Sequence, residues 1–170
     1  MSRALVPLTV VSLIIVGTQL AIFTSLRVAG VVIMLVWLWP LVIGLAGYTA
    51  LGIAAGVVAG LFFDTHASTP FGLSVLVGVT LAYGASRLGR EGIGDLDSAA
   101  WWVTPLLCAL GGFVAPVLFV AFGLLTLNDG LWRGSLLAAM VVNAVAFLVL
   151  ARPMARVAQS VGRLGERSRR

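Results

Sequence analysis

The densest grouping of chemically capable side chains is Asp64, Thr65 and His66, with Ser68 and Thr69 just beyond. An acid, a histidine and hydroxyls at close spacing are the raw materials of acid–base chemistry or of a metal site. Each of those chemistries needs partners that this sequence does not supply. His66 is the only histidine, and no second acid lies near it in sequence. No serine sits in a nucleophile elbow and no glycine loop is built for phosphate. Cys108 is the only cysteine and falls inside an apolar run, so neither an intrachain disulfide nor a thiolate metal site can form. The inventory argues for a protein that is not an enzyme and carries no cofactor and no metal. Asp64 reads instead as a structural acid, its carboxylate accepting backbone donors at the start of the following helix and holding the turn rigid.

What precedes that acid is unusual. Gly52, Gly56 and Gly60 recur at spacing four, with Tyr48 ahead and Asp64 behind. On a helix this spacing puts them on one slowly drifting stripe, a seam without side chains. In lipid, where the hydrophobic effect no longer drives helix association, small residues in register let backbones approach closely. Ala55 and Ala59 lie alongside. The seam packs against a helix of the same chain or against another protein, the internal contact being the expectation. After Asp64, Thr69 and Pro70 read as an N-cap and the first position of the next helix, followed by Phe71 and Gly72.

The elements that must position these residues are membrane helices. The 170-residue chain is 61% hydrophobic and 10% charged, with a mean hydropathy of +1.12. A soluble domain of this size carries roughly 25% charged residues. The N-terminus has Arg3 and then a long uncharged run, longer than a signal-peptide core and with no small-residue cleavage site after it, so it reads as an uncleaved first span, Ala4 to Phe23. Residues 28 to 63 carry no charge; as one helix they would extend about 54 Å against a hydrocarbon core of roughly 30 Å. They divide near Gly44 to Gly47 into span 2, Val31 to Ala46, with a kink at Pro40, and span 3, Tyr48 to Phe63. Span 4 starts at Pro70 and ends between Tyr83 and Leu88. The hydrophilic stretch 87–98 follows, then span 5 from Trp101 to Leu125, with Trp101 and Trp102 placed for an aromatic belt. Asn128-Asp129-Gly130 signals a turn, and span 6 covers Gly134 to Ala151.

The expected fold is therefore all-α, a polytopic membrane protein of six transmembrane helices. Residues 1–151 form one membrane domain and 152–170 a basic cytoplasmic tail. All eleven basic residues are arginine and there are six acids, for a net charge of +5. With six spans and both termini cytoplasmic, nine arginines fall inside and Arg27 and Arg133 outside, as the positive-inside rule asks. A five-span arrangement gives the same ratio, but needs one helix over the whole uncharged run. This distribution assigns the basic charge to topology and lipid headgroups and not to nucleic acid. In the tail, Met154, Val157, Val161 and Leu164 would make one apolar edge of a helix lying on an anionic leaflet; a frayed anchoring tail is the alternative.

The run Gly52-xxx-Gly56-xxx-Gly60-xxx-Asp64, continuing through Thr69-Pro70-Phe71-Gly72 to Ala82-Tyr83, resembles the bacterial rod shape-determining protein MreD family. There an apolar helix ending GLLLD is followed by a short turn of small residues, then TP, an apolar residue and G. Here that helix ends Gly60-Leu61-Phe62-Phe63-Asp64. Two features depart from the family. Val32-Ile33-Met34 stands where many members have an R-P-D-like lead-in to the second span, and the arginine often found between spans 2 and 3 is missing.

The resemblance implies a fold similar to the substrate-binding subunit of energy-coupling-factor vitamin transporters. It also implies a non-enzymatic scaffold in the bacterial cytoplasmic membrane. The implied partners are an MreC-like protein, the actin-like MreB, and a RodA-type glycosyltransferase with its transpeptidase. Gly52, Gly56, Gly60, Asp64, Thr69, Pro70, Phe71 and Gly72 would be the packing and partner residues. The rival reading is a transporter subunit that binds a small solute, through Asn143, Gln19, Tyr83 and Asp64. Ser12 and Gln19, seven apart, share a helix face that should point at other helices.

Overall fold

The structure is a computed structural model that describes residues 2–23, 27–28, 30–66, 70–89, 101–125 and 136–167. Thr69, most of the 87–98 stretch and the Asn128-Asp129-Gly130 turn lie outside the described residues. The order of elements is α1 (Ser2–Thr18), a π turn (Gln19–Phe23), β1 (Arg27–Val28), β2 (Val31–Val32), α2 (Leu35–Leu45), α3 (Thr49–His66), α4 (Leu73–Leu88), α5 (Val103–Leu125) and α6 (Leu136–Arg167). Helix dominates, and among the described residues four of the six helices (α1, α3, α5 and α6) are long and apolar enough to cross a membrane. The others, α2 and α4, have 11 and 16 residues.

The second span is corrected. In place of one helix from Val31 to Ala46, the chain makes a two-stranded antiparallel hairpin, Arg27 opposite Val32 and Val28 opposite Val31, and only then the short α2. Eleven helical residues cover about 16 Å, half of a hydrocarbon core. Every residue of α2 is buried, Trp37, Leu38 and Trp39 completely. This apolar run therefore faces protein, not lipid. α2 packs against α3 and α4 on one side and reaches α5 and α6 on the other, while α1 lies across α2, α3 and α6. The Trp37 ring meets Phe119 of α5 at a centroid distance of 5.2 Å.

α2 ends where the glycines suggested. Gly47 N–H donates to Gly44 O at 2.9 Å and Tyr48 N–H to Ile43 O at 3.3 Å. That pair of bonds, with Gly47 at φ +83°, is a Schellman ending, which needs a residue at ease in the left-handed region. Pro40 sits inside α2 and the helix continues through it.

α5 and α6 run antiparallel. Trp101 meets Arg152 at one end, and further in, a side chain at Gly112 would collide with the Asn143 carbonyl, 2.6 Å away. α6 does not stop at Ala151. It continues through Pro153 to Arg167 as one 32-residue helix, about 48 Å long against a core of roughly 30 Å. The tail is thus helical, and its buried edge is the expected one in part, Met154 being half-buried against the core. Ala151, Ala158 and Val161 are buried, whereas Val157 is exposed. At Gly162 there is no room for a side chain beside the Tyr48 ring, so the extension of α6 closes over the α2–α3 turn.

Candidate functional site: a carboxylate-locked turn at the end of a glycine seam

The glycine seam faces α4. A methyl group at Gly60 would lie 2.5 Å from Val75 N, and one at Gly56 2.9 Å from Gly78 C. One at Gly52 would lie 3.2 Å from both the Ala82 Cβ and Gly44 N. The contact is internal and antiparallel, each step of four up α3 matching a step down α4. It tightens toward Asp64. At the other end Gly44 of α2 lies against the Ala82 carbonyl, so three helices share the close packing. The receiving stripe is also visible in the sequence. Ser74, Gly78 and Ala82 repeat at the same spacing of four, and all three are buried.

At the tight end Asp64 is 5% exposed. Its Oδ2 accepts the backbone N–H of Gly72 at 2.8 Å, and Ser74 N–H donates to the carboxylate at 3.2 Å (Oδ2) and 3.3 Å (Oδ1). The contact expected of the structural acid is present. A negative group at this place also meets the positive end of the α4 dipole. The start of the helix differs from the expectation. Pro70 is not its first residue; α4 begins at Leu73, and its cap position is Gly72 at φ +92°. The reason is that the cap comes from α3 and not from a local side chain. Holding Gly72 N–H and Ser74 N–H on one carboxylate requires a left-handed residue between turn and helix, and Leu73 N–H closes the turn on Pro70 O at 3.1 Å.

Phe71, inside this turn, is 71% exposed, second only to Trp101 among the described large apolar side chains. Thr65 and His66, the described polar residues next to Asp64, bond back to α3. Thr65 Oγ1 donates to Phe62 O at 2.8 Å, and His66 Nδ1 lies 2.9 Å from the same carbonyl. Among the described residues no group of histidines, cysteines and acids could hold a metal.

A second polar cluster lies deeper. Gln19 donates through Nε2 to Ile33 O at 2.9 Å and accepts Leu35 N–H at 2.7 Å through Oε1. Asn143 Oδ1 accepts Met34 N–H at 2.8 Å, its Nδ2 donating to Ala139 O at 2.9 Å. Trp39 Nε1–H donates to Ser12 Oγ at 3.0 Å. Gln19 of the π turn and Asn143 of α6 therefore clamp the non-helical lead-in to α2, while Ser12 of α1 holds Trp39 within that helix. At about 1.5 Å per residue, Asn143 lies roughly 14 Å along α6 from Arg152, within the apolar stretch of that helix. Inside a membrane, irregular backbone is tolerated only where protein satisfies it.

Tyr83 is elsewhere, exposed on α4, its hydroxyl accepting from Arg87 Nε at 3.3 Å and Nη2 at 3.2 Å. The solute-reading quartet is thus dispersed: Gln19 and Asn143 on one segment, Asp64 at one end of α4 and Tyr83 toward the other.

No protein-family model, no characterised protein and no solved structure matches the chain.

Proposed function

We propose that this protein is a non-enzymatic membrane scaffold that presents a rigid external turn to a partner. The observation that carries the reading is the Pro70–Phe71–Gly72 turn. It displays a large apolar side chain to its surroundings while its backbone is locked by a buried carboxylate at the tight end of the α3–α4 contact. A turn fixed in this way loses little conformational entropy on docking, and preorganisation of that kind raises affinity without new contacts.

The arginine distribution supports a turn outside the cytoplasm, and the arrangement proposed has six crossings with both termini cytoplasmic. In that arrangement the hairpin and α2 together make the second crossing. The resemblance of the Gly52–Tyr83 stretch to MreD extends the proposal: a subunit of the bacterial elongation machinery with a fold similar to that of the vitamin-transporter subunits. It would couple an MreC-like protein to peptidoglycan synthases at the cytoplasmic membrane.

A solute-binding subunit is the weaker reading. It needs polar groups converging on one cavity, whereas these four are each engaged by the protein itself, Gln19 and Asn143 at one place and Asp64 and Tyr83 at two others.

The test is co-purification with the MreC-like protein of the same genome, using Phe71→Ser. Recovery of the partner is expected to fall at unchanged thermal stability. Unchanged recovery with both Phe71→Ser and Phe71→Asp, together with normal cell shape, would sink the scaffold reading at this turn.

A further inference from the structure

We propose that Trp101, Arg152 and Arg156 form a binding site for the phosphate headgroup of an anionic phospholipid. The Arg152 guanidinium carbon lies 4.5 Å from the centroid of the Trp101 ring, and Trp101 is 74% exposed. An arginine stacked on an indole keeps its in-plane N–H groups free to donate, and that planar fork matches two phosphate oxygens. Arg156 is exposed and lies one turn further along α6, on the same face. Among the described residues, neither guanidinium has a carboxylate partner. Two cations therefore share one helix face.

The level of the pair in the bundle selects the ligand. The apolar crossing of α5 begins at Val103, directly after Trp101 and Trp102. Because α5 and α6 are antiparallel and in contact here, Arg152 stands at the same height, where hydrocarbon gives way to headgroups. The site is also held in place. Ala151 and Ala158 bury the opposite edge of α6, and Gly162 is packed on Tyr48, so the arginines project from a fixed helix. A lipid phosphate is the anion available at that level, and each arginine near an anionic surface contributes enough to change binding several-fold.

The experiment is native mass spectrometry of the full chain in detergent, titrated with phosphatidylglycerol and, separately, phosphatidylcholine. Wild type is expected to retain phosphatidylglycerol preferentially. The preference should fall about fivefold in Arg152→Gln and further in the Arg152→Gln/Arg156→Gln double variant. Arg152→Lys, which keeps the charge but loses the fork, should fall between wild type and Arg152→Gln; Trp101→Leu should weaken retention with all charges present. Melting temperature is recorded for each variant, and these exposed substitutions are expected to leave it in place. Equal retention of the two lipids by wild type, or an unchanged preference in the double variant, overturns the proposal. So does full competition by millimolar inorganic phosphate, which would make the site one for a free anion. Selective capture of an acidic peptide in place of lipid would overturn it as well.

Discussion

Asn143, on α6, accepts the backbone N–H of Met34 at 2.8 Å, across 109 positions of chain. Its amide nitrogen is already committed to Ala139 O one turn back, which fixes the side chain with its oxygen toward Met34. Together with Gln19 it replaces the hydrogen bonds that α2 lacks where the chain leaves the hairpin. Asn143→Leu removes the acceptor at nearly constant volume and leaves the Met34 N–H without a partner. The expected loss is about 1–2 kcal/mol, read as a lowered melting temperature in detergent. Gln19→Leu should cost more, because two backbone groups lose their partner, Ile33 O and Leu35 N–H. Equal stability of both variants to wild type would show that the lead-in to α2 does not need the clamp.

The seam predicts a graded series. Alanine at Gly60 would place its methyl 2.5 Å from Val75 N and 2.6 Å from its Cα, and backbone cannot swing aside as a side chain can. At Gly56 the clash is with Gly78 and Val79 at 2.9 Å, and at Gly52 with atoms at 3.2 Å or more. Destabilisation should therefore run Gly60→Ala, then Gly56→Ala, then Gly52→Ala, with the first near the ~1–3 kcal/mol of an overpacked core. Gly84→Ala is the control, since nothing lies near its missing Cβ. Thermal melts of the four variants check the order; a flat series would mean the α3–α4 separation is not set by these glycines.

Asp64 separates geometry from charge. Asp64→Asn keeps one acceptor oxygen but turns an amide N–H₂ toward a backbone donor. Asp64→Ala leaves the N–H groups of Gly72 and Ser74 both unsatisfied. Losses of about 1–2 and 2–3 kcal/mol are expected, in that order. Limited proteolysis at the turn gives an independent readout, with cleavage next to Phe71 accelerating in the same sequence. If Asp64→Ala leaves both melting and cleavage unchanged, the carboxylate does not lock the turn.

These sites differ in how far the sequence discloses them. The α3–turn–α4 unit was legible because its signals are local: glycines at helical spacing, an acid at the helix end, proline and glycine in the turn. The break between α2 and α3 was legible from Gly47 for the same reason. α2 was not, because a charge-free run looks alike whether lipid or protein surrounds it. Only the packing reveals that Trp37 to Trp39 are inside the protein. The start of α4 differs from the expectation because local propensity favours Thr69-Pro70, whereas the acceptor comes from Asp64 at the end of the preceding helix, eight residues before Gly72. The buried edge of α6 was shifted from Val157 to Ala158 because the partner surface, Tyr48 on the α2–α3 turn, is distant in sequence. An apolar moment cannot tell which small residue a neighbour will cover.

The Tyr48–Gly162 contact turns that last point into a prediction about the tail. A tail that served only to hold charge in the cytoplasm would tolerate any neutral change at Gly162 and would be open to protease. Here α6 runs helically past Arg156 and Arg163 with Ala158 and Val161 buried, and helical backbone must unfold locally before a protease can seat it. Trypsin should therefore cut slowly after Arg156 in the native protein, although its side chain is exposed. Gly162→Val would push β-branched bulk into the Tyr48 ring, part the tail from the α2–α3 turn and raise the cutting rate after Arg156. Tyr48→Ala in the same background should restore part of the protection by making room, a rescue that simple unfolding cannot produce. Mass mapping of the tryptic fragments over time reads all three proteins. Rapid cleavage after Arg156 in the wild-type chain would show that the helix extension is not docked on Tyr48.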